Sequence, residues 1–165
     1  MSKLNALLSE YGESHQNSTN KLIHWFCVPL IFLSIVGMLY AIPSEQYFTP
    51  TDDSFFGSFK RINPASIGLI IALLYYTSLS RTMAFFFGLW MLICLGIVHW
   101  MYLTVGSNMN LLYLNLAIFV VAWIFQFVGH NIEGKKPSFL KDIQFLLIGP
   151  AWLMHFILKR LNIDF

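Results

Sequence analysis

Charged side chains are scarce in this sequence of 165 residues: eight are Asp or Glu, ten are Lys or Arg, and together they make up 11% of the chain. A soluble globular domain carries about 25%. Because 57% of the residues are hydrophobic, too little polar surface is left to cover a compact particle in water. The composition excludes a disordered chain and predicts a protein embedded in the lipid bilayer. The basic residues are scattered and the net charge is only +2, so nucleic acid is not expected as a partner.

Motifs of several common enzyme classes are also missing. Cys27 and Cys94 lie in apolar runs without CxxC spacing, which indicates neither a disulfide framework nor a thiolate zinc site. No GxSxG, GxGxxG, Walker A or HExxH sequence occurs, so hydrolase, dinucleotide, phosphate-loop and zincin functions are not indicated. The five histidines are too scattered to form the HxxxH and HxxHH boxes of two-iron membrane desaturases.

Long apolar stretches dominate what is present. Four of them, at about 22–42, 64–79, 83–105 and 111–128, approach the roughly 20 residues that a helix needs to cross a bilayer. A fifth, at about 139–158, contains Gly149-Pro150 midway and is open to three interpretations: a kinked span, a re-entrant hairpin or an interfacial helix. We predict a single all-α integral membrane domain over 1–165, a bundle of four transmembrane helices plus this fifth segment.

The distribution of basic residues predicts the orientation. Cytoplasmic segments of membrane proteins are enriched in Lys and Arg, and six such residues against two favour a cytoplasmic N-terminal segment over 1–21. We therefore expect the inner membrane in a bacterium or the endoplasmic reticulum membrane in a eukaryote. The segment 43–64, rich in aromatic rings, is expected to lie against the membrane surface. The six residues are Lys3, Lys21, Arg81, Lys135, Lys136 and Lys141, and the two are Lys60 and Arg61.

Three of the five histidines are expected at the cytoplasmic interface. His15 precedes the first predicted span, His24 opens it, and His130 follows the fourth. His99 lies within the third span, roughly 24 Å from its cytoplasmic end at 1.5 Å per residue, and its aromatic neighbours fit a belt on the far side. The depth of His155 depends on the fifth segment.

A break in the chain between the first two histidines is predicted. His15 and His24 are nine residues apart and would lie on opposite sides of one continuous helix. The intervening run 16–20, Gln-Asn-Ser-Thr-Asn, is rich in residues that cap helices and form turns. A turn there would bring His15 back over His24, with Asn20 as the i−4 neighbour of His24.

These residues suggest a metal site. Gln126, His130 and Glu133 share one helical face. We predict that His15, His24 and His130, with oxygen from Glu133 or water, bind a transition metal. Imidazole and carboxylate with open positions suit Fe(II) in oxygen chemistry, and the lack of thiolates disfavours a closed zinc site. The alternative is that these histidines cap helix ends or contact lipid head groups. Ionisable groups at membrane depth are nevertheless costly enough to favour a function.

Two ordered motifs resemble a known family. The pattern YxxxHxNxxNxxIHxxxxP at 11–29 and the run WIFQFVGH at 123–130, followed by Glu133 and Pro137, are similar to the Mpo-like family of membrane 2-hydroxy fatty acid dioxygenases. Fungal members have one more residue between the Gly-His pair and the following acid, and the loop 43–64 is longer here.

The resemblance implies an enzyme of lipid and sphingolipid metabolism. Its reaction would be an iron-dependent α-oxidation, in which O2 and a long-chain 2-hydroxy fatty acid give the fatty acid one carbon shorter and CO2. It implies Fe(2+) as cofactor and His15, His24 and His130 as catalytic metal ligands, with Asn20 and Gln126 beside them. The substrate supplies all four electrons that O2 takes up, which agrees with the missing flavin and nicotinamide motifs.

Four basic residues near the cytoplasmic interface are candidates for the substrate carboxylate, although each also serves the positive-inside pattern. Two other functions stay open. A haem electron carrier would use His24 and His130 as axial ligands, and a membrane scaffold or transporter would use the polar stripes for helix packing. The four basic residues are Lys21, Arg81, Lys135 and Lys136.

Overall fold

The protein, represented by a computed structural model that describes residues 2–43, 62–136 and 144–165, is all-helical over those residues. They form six helices and contain no strand, which confirms the all-α prediction. The loop 43–64 lies almost wholly outside the described residues, as do Lys60, Arg61, Pro137 and Lys141. The helices are α1 (Lys3–Glu13), α2 (Ser18–Tyr40), α3 (Pro64–Leu79), α4 (Arg81–Val105), α5 (Asn108–Glu133) and α6 (Phe145–Arg160).

Three helices are long and apolar enough to cross a membrane: α2, α4 and α5, with 23, 25 and 26 residues. Helix α3 occupies the predicted range and is apolar, but its 16 residues span only about 24 Å, less than the roughly 30 Å of a hydrocarbon core. The structure therefore supports three of the four predicted spans. In the fifth segment, α6 is one helix of 16 residues with Pro150 inside it.

Capping residues extend two of these helices beyond the apolar stretches. Helix α2 starts at Ser18 because the side chain of Asn17 accepts hydrogen bonds from the backbone N–H groups of Thr19 and Asn20. Helix α5 continues to Glu133 and ends at Gly134, whose φ of 71° lies in the left-handed region that favours glycine. Both extensions add polar residues to apolar helices at one end of the bundle.

Helix α2 lies at the centre of the bundle and packs along α5, with further contacts to α3, α4 and α6. Two glycines allow the close approach of α2 and α5. A Cβ atom added at Gly37 would overlap the side-chain amide of Asn115, and one added at Gly129 would overlap Oδ1 of Asn20. The register of these two helices therefore depends on the absence of side chains at both positions.

We expect Gly37→Ala to lower the free energy of unfolding by about 1–3 kcal/mol, the usual cost of overpacking a core. Asn115 is fully buried and its amide donates to the carbonyl of Leu111, so it has little room to move. Thermal unfolding in detergent measures the effect. The control is Gly88→Ala, where the new methyl would come no closer than 3.9 Å to Leu73. Equal melting temperatures for the two variants would contradict the close approach.

Candidate metal centre

Three histidines from distant parts of the chain meet at one end of the bundle. His15 follows α1, His24 lies in the second turn of α2, and His130 lies in the last turn of α5. One ring nitrogen from each can be chosen so that all three atoms lie within 4.8 Å of one another. The rings are buried, at 0%, 0% and 5% exposure. The convergence expected from the sequence is thus present, while the role of these residues as metal ligands stays a prediction.

The turn between α1 and α2 makes this meeting possible. Helix α1 ends at Glu13, and the chain reverses before Asn17 caps α2. The side-chain amide of Asn20 donates to the carbonyl of Ser14 at 3.2 Å and closes the turn. The capping residues predicted to break the helix therefore do so, and His15 comes to lie against His24.

Backbone carbonyls determine which nitrogens of the first two rings carry hydrogen. Nδ1 of His15 lies 2.6 Å from the carbonyl oxygen of Tyr11, and Nδ1 of His24 lies 2.9 Å from that of Asn20. A carbonyl only accepts hydrogen bonds, so each Nδ1 carries the hydrogen and each neutral ring has a bare Nε2. These two Nε2 atoms are 3.0 Å apart. Two facing lone pairs repel each other unless a proton or a metal ion lies against them.

A proton is not the favoured partner at neutral pH. Burial, together with the neighbouring His130, lowers the pKa of His15 to about 4, despite the hydrogen bond to the Tyr11 carbonyl. His15 is therefore neutral at pH 7 and available as a ligand. Within the described residues, Nδ1 of His130 is buried and has no hydrogen-bond partner.

The three rings fit a metal ion. A separation of 3.0 Å is what two nitrogens at right angles around an ion would have, given metal–nitrogen bonds of roughly 2.1 Å as for zinc. Bare nitrogens on His15 and His24, together with one ring nitrogen of His130, lie within 4.8 Å of one another and offer three donors. The backbone carbonyls of Tyr11 and Asn20 hold two of the rings in orientation, as is usual for histidines that bind metals.

Two aromatic residues that were not predicted as site residues hold the His15 ring. Tyr11 stacks on it with ring centroids 4.2 Å apart and 11° between the planes, and Trp152 lies at 5.2 Å. The position of Tyr11, four residues before His15, places the two side chains on one helical face, which was the available signal. Trp152 comes from α6, and nothing local in the sequence connects it to His15.

Glu133 lies beside the turn between α1 and α2, and its role as an oxygen ligand stays a prediction. It is not part of the group of three residues, and both of its oxygens already accept hydrogen bonds. Oε1 accepts from the backbone N–H of Gln16 at 2.8 Å, and Oε2 accepts from Asn17 N–H at 2.9 Å and from Asn20 Nδ2 at 3.0 Å. The carboxylate therefore ties the end of α5 to the turn that carries His15.

The other predicted residues near the centre are buried. Asn20 is fully buried between the turn and α5, and its backbone carbonyl orients His24. Gln126 is 5% exposed and lies one turn before His130 on α5. Both are thus placed beside the histidines, as the spacing predicted.

The four basic residues are separated in the structure. Lys21 lines a cavity that also contains His15. Lys135 donates from Nζ to the carbonyl of Glu13, and Lys136 is exposed. Arg81 lines a groove between α3 and α4 that includes none of the three histidines.

The remaining two histidines lie outside the cluster. His99 is only 3% exposed and hydrogen-bonds to the hydroxyl of Tyr40 at 2.8 Å. Its partner Tyr40 is the last residue of α2 and also contacts Tyr102, so His99 lies among aromatic residues away from the three histidines, inside the bundle; its place in an interfacial belt stays a prediction. His155 donates from Nδ1 to the carbonyl of Trp152 at 2.6 Å.

Two cavities of opposite character reach the cluster, one at His15 and the other at His130. The polar cavity, of about 760 Å³, includes His15, Lys21, His155 and Lys159 among its lining residues. The apolar cavity, of about 160 Å³, reaches His130 and Gln126 and is otherwise surrounded mostly by aliphatic and aromatic residues of α2, α3 and α6. The arrangement can accommodate a molecule with one charged end and one hydrophobic end.

Comparison with known proteins gives two matches. The family model described as Mpo1-like, 2-hydroxy-palmitic acid dioxygenase Mpo1-like, matches residues 1–161. The chain is 27% identical over 162 residues to the 2-hydroxy-palmitic acid dioxygenase MPO1 of Saccharomyces cerevisiae. The aligned region covers 96% of this chain and 82% of the yeast protein. No solved structure gives a significant match. The family match includes both segments that carry the sequence motifs.

Proposed function

This chain belongs to the Mpo1-like family, and from that premise we propose that it is an Fe(II)-dependent 2-hydroxy fatty acid dioxygenase. The reaction converts a long-chain 2-hydroxy fatty acid and O2 into the fatty acid one carbon shorter, CO2 and water. The bond between C1 and C2 breaks, and C1 leaves as CO2. The substrate loses four electrons and O2 gains four, so the reaction needs no other reductant.

The observation that carries the proposal is the buried group of three histidines whose ring nitrogens converge within 4.8 Å. Nε2 of His15 and Nε2 of His24 face each other at 3.0 Å, and Nδ1 of His130 has no partner among the described residues. Nitrogen donors without a thiolate suit iron in oxygen chemistry better than a closed zinc site. Three protein donors would leave room on a bound ion for substrate and O2.

The chain's own residues bind, orient and shield the reactants. Fe(II), when bound to the three histidines, would activate O2 and polarise the oxygens of the substrate. The carbonyls of Tyr11 and Asn20 keep the hydrogen on Nδ1 of His15 and His24, so that each Nε2 stays a donor. Lys21 stands in the polar cavity and attracts the substrate carboxylate. The surrounding apolar side chains exclude bulk water.

The geometry disfavours the haem alternative. The rings of His24 and His130 are 5.0 Å apart, and the His15 ring lies 4.3 Å and 4.9 Å from them. A porphyrin between two axial ligands would need the space that His15 occupies. A scaffold or transporter would need only helix packing, for which bare, facing imidazole nitrogens are of no benefit.

We propose that the enzyme works within a membrane, with its N-terminus and metal centre on the cytoplasmic side. The bilayer is the inner membrane in a bacterium or the endoplasmic reticulum membrane in a eukaryote. Large apolar side chains cover the outer surface of the helices, as expected for contact with lipid. The most exposed examples include Phe26, Leu74 and Phe85 at 66%, 66% and 64%.

Purified protein in detergent tests the proposal. We expect about one iron per chain by elemental analysis, no intense Soret band, and conversion of 2-hydroxypalmitate with Fe(II) and O2 into pentadecanoic acid. Iron without this product would overturn the substrate assignment. A Soret band would favour the haem carrier, and the absence of both iron and product would overturn the enzyme proposal.

A further inference from the structure

The apolar cavity leads away from the metal centre between α2, α3 and α6. His130 and Gln126 line the end beside the centre. Along α2 the lining residues extend from Val28, one turn after His24, to Leu39. This stretch measures about 16 Å at 1.5 Å per residue. An extended alkyl chain advances about 1.25 Å per carbon, given C–C bonds of about 1.5 Å and near-tetrahedral angles, so about 13 carbons run beside this stretch. The enclosed volume of about 160 Å³ is similar to the roughly 150 Å³ that accommodates benzene, so it encloses about six of them, and the others lie in the open part of the cavity.

Helix α3 contributes small residues to this cavity at successive distances from the centre. Gly68 lies opposite Leu39, since a Cβ atom on Gly68 would be 3.1 Å from Cδ1 of Leu39. Further along α3, the hydroxyl of Tyr76 donates to the carbonyl of Leu147 on α6. On α6, two residues after Leu147, Gly149 lies against Tyr11, and Tyr11 stacks on His15. Helix α3 therefore runs from the distal end of the cavity towards the centre.

We propose that α3 determines the chain length of the substrate, with Ala72 and Gly68 as the specificity-determining residues. The inference rests on the proposed function. The acyl tail lies in the apolar cavity, Ala72 leaves room for its middle part, and Gly68, with Leu39 packed against it, marks the distal end of the cavity. Four residues of helix separate the two positions by about 6 Å, which corresponds to about five carbons of an extended tail.

The chain-length profile of two variants tests the inference. Gly68→Leu and Ala72→Leu each fill the cavity at one level. We expect both to lower kcat/KM for 2-hydroxypalmitate by about 10-fold or more, the cost of a misfitting methylene in an apolar pocket. Shorter 2-hydroxy acids should still react, and the longest acid tolerated should be shorter by about five carbons in Ala72→Leu than in Gly68→Leu.

The control is Gly88→Leu, which adds the same side chain to the groove between α3 and α4, outside the apolar cavity. Its chain-length profile should equal that of the wild type. Wild-type protein that oxidises no 2-hydroxy acid would overturn the proposed function. A wild type that is active, with variants that lose activity equally at every chain length, would overturn only the role of α3.

Photo-crosslinking gives a readout that does not depend on activity or bound iron. A 2-hydroxypalmitate with a diazirine at its terminal carbon should label the peptide that contains Gly68 in the wild type, and unlabelled 2-hydroxypalmitate should compete. If phospholipid vesicles suppress the labelling as strongly as unlabelled 2-hydroxypalmitate does, a bilayer lipid tail occupies the cavity and the inference is overturned. If Gly68→Leu unfolds, the smaller changes Gly68→Ala and Ala72→Val are compared, and an unchanged labelling pattern and chain-length profile in both contradict it.

Discussion

His130→Ala is expected to remove bound iron and to lower kcat/KM for the 2-hydroxy acid by more than about 100-fold. Loss of a residue that only orients a metal ligand costs roughly 10- to 100-fold, and removal of a ligand should cost more. His130 is the one member of the cluster supplied by α5, and its Nδ1 has no partner among the described residues. Elemental analysis and oxidation of 2-hydroxypalmitate measure the two effects.

The matched control is His99→Ala. His99 is as deeply buried as His130 but hydrogen-bonds to Tyr40, away from the cluster. This variant should keep its iron and most of its activity per folded molecule, even if it melts at a lower temperature. Wild-type activity in His130→Ala would overturn the metal-centre proposal, whatever the control shows.

Glu133→Ala is expected to weaken iron binding by about 10- to 100-fold, as for groups that orient metal ligands, and also to destabilise the metal-free protein. Its carboxylate accepts three hydrogen bonds from the turn that carries His15. Their loss should lower the free energy of unfolding by about 1–2 kcal/mol, since water can replace part of them at this half-exposed position. Iron titration and thermal unfolding of the metal-free chain are the measurements.

The metal-free measurement separates two roles for Glu133. An anchor stabilises the turn whether or not iron is present, whereas a residue that acts only as a ligand has no effect on the metal-free chain. Glu10→Ala, a change at an exposed acid on α1, controls for the loss of one negative charge. If Glu133→Ala and Glu10→Ala melt at the same temperature without metal, Glu133 is not an anchor.

Local chemistry explains why much of the fold was predictable. The low charge and the long apolar stretches require helices, since a helix satisfies its backbone hydrogen bonds within one segment. Helix α3 has the bounds that the sequence indicated. Polar residues between His15 and His24 predicted the turn because their side chains cap the backbone of α2. In each case the interaction lies within a few residues along the chain.

The sequence could not show which partner from another helix a side chain contacts. Glu133 was considered as an oxygen ligand, and the structure adds that its oxygens accept hydrogen bonds from residues more than 110 positions away in sequence. His99 was expected among aromatic residues away from the cluster, and the structure adds that its partner is Tyr40 of α2. Spacing on one helix gives the direction of a side chain, but not which group of another helix lies there.

The amino-acid sequence by itself determined that this protein is helical and apolar, where its chain turns, and that three histidines lie at one end of the apolar stretches. Only the tertiary structure decided that their nitrogens come within 4.8 Å of one another, that Glu133 holds the turn, and that an apolar cavity leads from the centre along α2. The physical reason is that composition and capping act between neighbours in the chain. The close packing of α2 against α5, at Gly37 and Gly129, acts between residues far apart in sequence and sets the distances at the site.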